Sequence, residues 1–348
     1  MKICHVNLAR RFSGSERQTL LLITQQLRQG YKLTVVARNN SPFALEVGKL
    51  PCKLITTRSS LMSQSAKLHK QCDIVHAHER YAAQWAYMQN LRHGTSYVIT
   101  HRTDKPVKDK YISLKAYTKA HALVGLSNKT VSTLNKQFED QCCVRIASSP
   151  VSYPVNQNKV DQIWSAHGHK PLVLQAGYVG KSKGFDVTIE AAKILEQNNI
   201  LVHILLLGDG PETETLKKQA QGLENIFFMS HQKDMGTWFA SANLLIQPSK
   251  SEGLSSVILE AIAAGLPVIA SNTGGIPDII EHEKTGLLIE PGNAKELASA
   301  IERIVSDAEL RNRLQTEAKE KLSQFEISRT AQRYSDLYKQ VATEKVSI

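Results

Sequence analysis

The sequence predicts an α/β protein built from two doubly wound, Rossmann-like domains, and three observations predict it. Short apolar runs recur along the 348 residues, separated by stretches long enough for a helix, an alternation that makes βαβ units and a parallel sheet. The pattern breaks at about Ser152 to Lys170, where Pro154, Asn156, Asn158, Gly168 and Pro171 interrupt it, and then begins again. The length also exceeds that of one ordinary domain, so each half can bury its own core.

The first half opens with a strand at Lys2 to Asn7, a turn at Ser13-Gly14-Ser15 and a helix from Glu16 to Gln29, with Gly30 where a helix C-terminus favours glycine. Further strands are expected at Leu33 to Ala37, Asp73 to Ala77, Tyr97 to Thr100 and Ala122 to Leu126. The second half predicts strands at Leu172 to Ala176, Val202 to Leu207, Ile226 to Met229, Leu244 to Gln247 and Pro267 to Ala270. Its helices are expected at Phe185 to Gln197, Glu212 to Gln221 and Ser256 to Ala264. From Asn293 onward the chain reads as three helical stretches. The expected domains are therefore 1–165 and 166–327, with a helix over 328–343 packing back on the first.

Charge separates the two halves. Residues 1–165 hold 24 Lys and Arg against 9 Asp and Glu, whereas 166–348 hold 19 against 23. A basic half attracts acidic substrates, anionic membranes or nucleic acid, and no zinc-finger, RNP or Arg-rich helix signature favours nucleic acid. The apolar runs are too short to span a bilayer, and no signal peptide is evident. Five cysteines, odd in number and without CxxC spacing, argue against a disulfide framework and for a reducing, cytoplasmic compartment. Neither half shows GxGxxG followed by an acidic residue after the second strand, which argues against a dehydrogenase.

The segment Ser249 to Ala261 is the most specific. Glu252 and Glu260, separated by seven residues, bracket a Gly/Ser loop entering a helix. Free backbone N–H groups at a helix start suit an anionic diphosphate, and carboxylates accept hydrogen bonds from hydroxyls. On physical grounds alone Glu252 could equally be solvated and Glu260 lie on a helix surface. With Ala264 to Ser271, Gly274 to Asp278, Gly208-Asp209-Gly210-Pro211 and Gly286-Leu287-Leu288, this segment resembles the EX7E region of retaining glycosyltransferase family 4. That resemblance, densest over 171–305, implies the GT-B fold: two Rossmann-like domains facing each other across a cleft that takes a nucleotide diphosphate sugar.

The resemblance implies roles residue by residue. Glu260 would hold the donor ribose, Glu252 the transferred sugar, and Gly253, Leu254, Ser255 and Ser256 would present amides to sugar and diphosphate. Where the family carries GRLxxxKG, this chain has Gly177 to Gly184. Lys183 matches the diphosphate lysine, but Tyr178 stands in the arginine position, which leaves Lys181 as the nearest substitute cation. Gly208 belongs to the donor side. Gly14, in a loop with only one of the family's paired glycines, would let backbone approach the donor. His78 of Val75-His76-Ala77-His78 and Arg102 are acceptor-side candidates, His101 is a catalytic candidate, and His76 fits the core.

No Asp-x-Asp is present, and no His/Asp/Glu cluster has metal-ligand spacing. A metal-independent reaction with no cofactor is expected, Lys183, helix ends and amides taking the place of a cation. The family implies retention of configuration. Similarity around Thr100 to Pro106 points to a saccharide or lipid-linked saccharide acceptor of a lipopolysaccharide or other envelope glycan. Interleaved lysines and apolar residues over Lys105 to Lys119 predict a helix starting after Pro106. Val107, Tyr111 and Leu114 would share its apolar face, flanked by Lys108, Lys110 and Lys115; that face could rest on the inner face of an anionic membrane or equally pack on the first sheet with its lysines solvated or serving a phosphorylated acceptor. A non-catalytic nucleotide-sugar binder and a nucleotide-sugar epimerase are the alternative functions.

Overall fold

The computed structural model describes residues 1–108 and 111–344, and these form two compact units, 1–149 with 326–344, and 150–325. In the first unit, parallel strands β1 (Lys2–Asn7), β2 (Lys32–Arg38), β3 (Lys53–Thr57), β4 (Ile74–Ala77), β5 (Tyr97–His101), β6 (Ala122–Gly125) and β7 (Cys143–Arg145) lie in the order 3-2-1-4-5-6-7. The helices between them are α1 (Gly14–Arg28), α2 (Pro42–Val47), α3 (Ala66–Gln71), α4 (Arg80–His93), α5 (Tyr111–Thr118) and α6 (Asn128–Gln137). Strands β1, β4 and β6 are buried along nearly their whole length, as expected of a parallel sheet covered on both faces.

The second unit begins with α7 (Gln157–Ala166). Its sheet is β8 (Leu172–Ala176), β9 (His203–Leu207), β10 (Ile226–Met229), β11 (Leu244–Gln247), β12 (Val268–Ser271) and β13 (Leu287–Ile289), ordered 10-9-8-11-12-13 and parallel throughout. It is covered by α8 (Phe185–Gln197), α9 (Thr213–Gln219), α10 (Met235–Ser241), α11 (Ser256–Ala263), α12 (Ile276–Ile279), α13 (Ala294–Ser306) and α14 (Ala308–Leu322). Its core joins Ile189, Ala192 and Leu195 of α8 to Leu297, Ile301 and Ile304 of α13. Helix α15 (Ile327–Glu344) returns to the first unit, where Tyr334, Tyr338 and Val341 join Ile23, Val35 and Val98 in one core.

Three expectations are revised. The division falls after Ser149 and not at 165, because the stretch whose prolines and asparagines suggested a linker folds as α7, packed on α10. Asn156 caps it, its side chain accepting from the Lys159 amide. Gly14 is the first residue of α1, preceded by the N-cap Ser13, whose backbone N–H donates to the Glu16 carboxylate at 2.9 Å. Over Lys105 to Lys119 the described helix starts at Tyr111; Lys110 lies outside the described residues. Val107 precedes it and is buried, its backbone N–H and C=O both bonded at 2.8 Å to the Gln137 side chain, whereas Tyr111 is exposed. Val107 and Tyr111 therefore share no apolar face.

Candidate active site

In doubly wound sheets ligands bind where the strand order reverses, beyond the carboxyl ends of the strands. In the second unit that point lies between β8 and β11. The loops following them are 177–184 and 248–255, and the Lys250 amide donates to the Ser182 carbonyl at 2.8 Å to tie them together. This tie brings Lys183 Nζ to 2.5 Å from Glu252 Oε2, both side chains partly covered at 25% and 11% exposure. The Glu252 carboxylate also accepts from Ser249 Oγ at 3.2 Å, which in turn accepts from Gln247 Nε2 at 2.8 Å. Removing either member of so sheltered a pair strands the other's charge.

Backbone fixes Glu252 from the far side. Its carbonyl accepts from the Gly275 amide at 3.1 Å, and a Cβ on Gly274, whose φ is +58°, would sit 1.7 Å from that carbonyl oxygen. Only glycine fits there. Gly253, Leu254 and Ser255 are buried, and Ser255 is the N-cap of α11, which places the free amides of its first turn beside Glu252. Ser256, the first residue of that helix, is partly exposed.

Glu260, one helix turn on from Ser256, is 6% exposed and lines a cavity of about 260 Å³ with Tyr153, Val155, Gly236, Phe239 and Ala263. It is not a surface carboxylate. Gly208 packs so closely that a Cβ would lie 1.9 Å from the Gly177 carbonyl oxygen, so the close approach of two strand-end loops is sufficient reason for glycine there. Lys181 lines a separate cavity of about 250 Å³ with Asp186, Glu212, Gln219 and Lys250, and is absent from the bonds that hold Glu252. Tyr178 is exposed and its ring lies against Gly180.

The first unit presents a different site at its own reversal, between β1 and β4. Register sets His5 opposite His76, and His78 follows β4, so three imidazoles converge with ring centroids 3.9 to 5.5 Å apart, all buried. Their ligand atoms lie within 4.8 Å of one another. This cluster corrects the expectation that no metal-ligand grouping exists, because parallel pairing joins residues more than seventy positions apart. No local spacing signals His5.

Hydrogen bonds fix the tautomers of this cluster. Arg102 can only donate, so its Nη2, 3.3 Å from His78 Nδ1, makes that nitrogen the acceptor. His78 Nε2–H then donates to His5 Nδ1 at 2.9 Å, and His5 Nε2–H donates to Gln26 Oε1 at 2.7 Å. His76 is held by Tyr338 at 2.6 Å and Thr100 at 2.7 Å. Burial drives all three imidazoles to the neutral form, His5 down to about 4, and the Arg102 charge adds to the effect on His76 and His78. With every ring nitrogen engaged and a guanidinium adjacent, the arrangement suits a neutral hydrogen-bond relay better than a cation.

His78 was expected at an open strand end; it is buried, and its nitrogens serve His5 and Arg102. Arg102 itself is partly exposed and also donates to Thr19 Oγ1 at 3.3 Å. His101 is tied on both sides, Nε2 donating to the Lys105 carbonyl at 2.9 Å and Nδ1 accepting from Tyr117 at 3.0 Å, and burial lowers its pKa.

Residues 156–321 match the family described as glycosyl transferases group 1. That stretch, just under half of the chain, is what it shares with the family. Over 161 residues it is 34% identical to the sulfoquinovosyl transferase SQD2 of Arabidopsis thaliana, a stretch that is 45% of this chain and 31% of that protein. It is 35% identical over 179 residues, half of each chain, to the lipopolysaccharide core biosynthesis glycosyltransferase LpsE of Rhizobium meliloti. The chain thus spans half or less of these relatives' own length. The Anabaena protein Alr3699/HepE, solved in complex with UDP, superposes with a TM-score of 0.83 over 98% of this chain and all of that one, at 19% identity. The shared fold is GT-B, and the stretch matched to the family contains both Lys183 and Glu252.

Proposed function

We propose that the chain transfers a sugar from a nucleotide diphosphate sugar, a UDP-sugar in the first instance, to a saccharide acceptor with retention of configuration. The observation that carries this reading is the Lys183–Glu252 pair at the reversal point of the second unit. An ion pair of this kind is a ligand site with its charges provisionally matched. A diphosphate would draw Lys183 away, and the freed Glu252 would accept from sugar hydroxyls, while the buried Glu260 would serve the ribose. Charge grows on the diphosphate as the glycosidic bond breaks, so the lysine and the first-turn amides of α11 stabilise the transition state more than the ground state. No metal or cofactor is required in this scheme, and chelation should leave the rate unchanged.

The UDP bound by the Anabaena protein supports a uridine donor, and the likeness to LpsE supports an envelope glycan precursor, soluble or lipid-linked, as acceptor, with the reaction in the cytoplasm. Arg102 and the relay behind it form the acceptor-side polar group of the first unit. Tyr178 in place of a cation favours one second reading, a nucleotide-sugar binder without transfer. UDP-glucose and UDP-N-acetylglucosamine should each raise the melting temperature on binding, and slow hydrolysis of one without acceptor should follow. Binding without any turnover would favour the second reading, and no binding of UDP-, GDP- or ADP-sugars would defeat both.

A further inference from the structure

The Lys183–Glu252 pair is lopsided. Lys183 Nζ at 2.5 Å and Ser249 Oγ at 3.2 Å both bond to Oε2 of the carboxylate. Among the described residues no hydrogen bond or ion pair reaches Oε1. Behind Oε2 stands a chain of buried side chains: Ser249 and Gln247, the last residue of β11, are 0% and 1% exposed, so bulk water does not compete for their bonds. Gln247 Nε2 donates to Ser249 Oγ at 2.8 Å. A carboxylate only accepts, so the single Ser249 proton points to Glu252 while the Ser249 oxygen accepts from the amide. With the Gln247 amide turned over, its oxygen would claim that proton, and Glu252 would face a hydroxyl lone pair.

This direction costs stability. Gln247 Oε1 is buried without a protein partner, and among the described residues the side chain makes one hydrogen bond, to Ser249. An unpaired buried amide oxygen is unfavourable, so the amide serves the hydroxyl and not the core. The lysine is anchored separately. Gln175, in β8, donates from Nε2 to the Lys183 carbonyl at 3.0 Å and accepts from Thr188 Oγ1 at 2.7 Å, which holds the lysine backbone and leaves its side chain to swing.

When a diphosphate draws Lys183 away, the Glu252 carboxylate keeps one side-chain partner. The terminal torsion of a glutamate is broad, so without that partner the carboxylate plane would swivel. We infer that Ser249, oriented by Gln247, is a positioning residue for sugar transfer: it holds Glu252 Oε2 after Lys183 has left and so presents Oε1 to a hydroxyl of the transferred sugar. The inference rests on the donor reading above. It gives the two carboxylate oxygens separate tasks, one held by protein and one offered to ligand. The sugar, and not the nucleotide, is then the part of the donor that depends on Ser249.

The test is calorimetric titration of the full chain with UDP, UDP-glucose and UDP-N-acetylglucosamine. Ser249→Ala should weaken binding of the preferred UDP-sugar by about tenfold, the scale of one hydrogen bond to a charged group, while UDP affinity stays within about twofold. Glu252→Ala should lose the same sugar-dependent part of the affinity. Ser249→Ala added to Glu252→Ala should then cost nothing more, because the hydroxyl acts only through the carboxylate. Gln247→Met removes the amide alone and should reproduce part of the Ser249→Ala loss without lowering the melting temperature, which covers the case of an unstable Ser249→Ala. Equal losses for UDP and the UDP-sugar, losses from Ser249→Ala and Glu252→Ala that add, or UDP-sugar binding indifferent to both Ser249→Ala and Gln247→Met would overturn the inference. A wild type that binds none of the three ligands would defeat the uridine donor reading and the inference with it, a result seen before any variant is made, so the two failures are distinct.

Discussion

The two strand-order reversals of this chain have the same topology and opposite electrostatics. In the second unit the reversal carries a lysine and a glutamate paired at 2.5 Å, both partly covered, with Gly274 turned against the Glu252 carbonyl. In the first unit it carries three neutral, buried imidazoles, His5 and His78 bonded to each other, His76 to Tyr338 and Thr100, and His78 to Arg102. On the proposed reading the first arrangement would exchange its internal partners for a ligand's charges. The second cannot, because every nitrogen is already engaged and burial opposes protonation. On that reading one sheet end is built to meet a ligand, and the other to hold a side chain still.

The largest effect that would sharpen this contrast is at Lys183. Lys183→Ala should lower the transfer rate by about 100- to 1000-fold, the range expected when one preorganised stabilising group is lost, and Lys183→Arg should recover part of it. Steady-state rates with UDP-glucose check this. An equal loss in His78→Gln would break the contrast, since a buried relay member would then matter as much as a group placed to meet the diphosphate.

Acid should separate the two ends next. The folded pKa of His5 is depressed to about 4, below the unfolded value near 6.5, so protons bind the unfolded chain preferentially between these limits. Stability contributed by the neutral ring is complete above about 6.5 and is lost as pH falls toward 4, on the order of 3 kcal/mol from His5 alone. His76 and His78 act in the same direction. Hydrogen exchange at β1 and β4 should accelerate across this range, more than at the loops around Glu252. The second unit has its own depressed pair, His167 and His203, but His203 opens β9 at the amino end of the sheet, remote from those loops in the topology. Equal acceleration at both reversals would show that the relay is not what acid attacks.

How far this contrast was legible beforehand follows from where the signals are local. The bounds of β1, β8, β10, β11 and α8 agree with the apolar runs that predicted them, because each is a short, clearly bounded stretch feeding one core. Strand β3, Lys53–Thr57, escapes the pattern because three of its five residues are polar and it lies at a sheet edge; β7 and β13 are only three residues long. The Lys183 and Glu252 motifs stand out because glycine turns must be written in consecutive residues. The relay does not stand out, because His5 gains its meaning only from its register partner His76 and from Gln26, Tyr334 and Tyr338 on helices distant in sequence.

A smaller effect tests the carboxylate that the sequence could have placed at the surface. Glu260→Gln should weaken UDP binding by about tenfold while leaving the fold intact, since a buried acceptor loses charge but keeps one carbonyl oxygen. Calorimetric titration with UDP measures it, and unchanged affinity would remove the cavity beside Tyr153 from the donor site.

The smallest expected effect is at His101, and it bears on whether the first unit contains any reactive group. Its Nε2 donates to the Lys105 carbonyl and its Nδ1 accepts from the Tyr117 hydroxyl, so the ring bridges the end of β5 to the loop leading to α5. Burial favours the neutral ring, which is the form these two bonds require. On this geometry His101 would position Arg102, its chain neighbour, rather than move protons. His101→Asn can keep an acceptor near Nδ1 and loses the donor to Lys105. It should therefore cost about 1 kcal/mol of stability and a few-fold in activity with a weakly saturating acceptor, leaving the pH dependence of the rate as in the wild type. Loss of one limb of that pH profile, with donor binding unchanged, would instead make His101 the acid or base of the transfer, and the first unit would then hold a reactive group beside its buried relay.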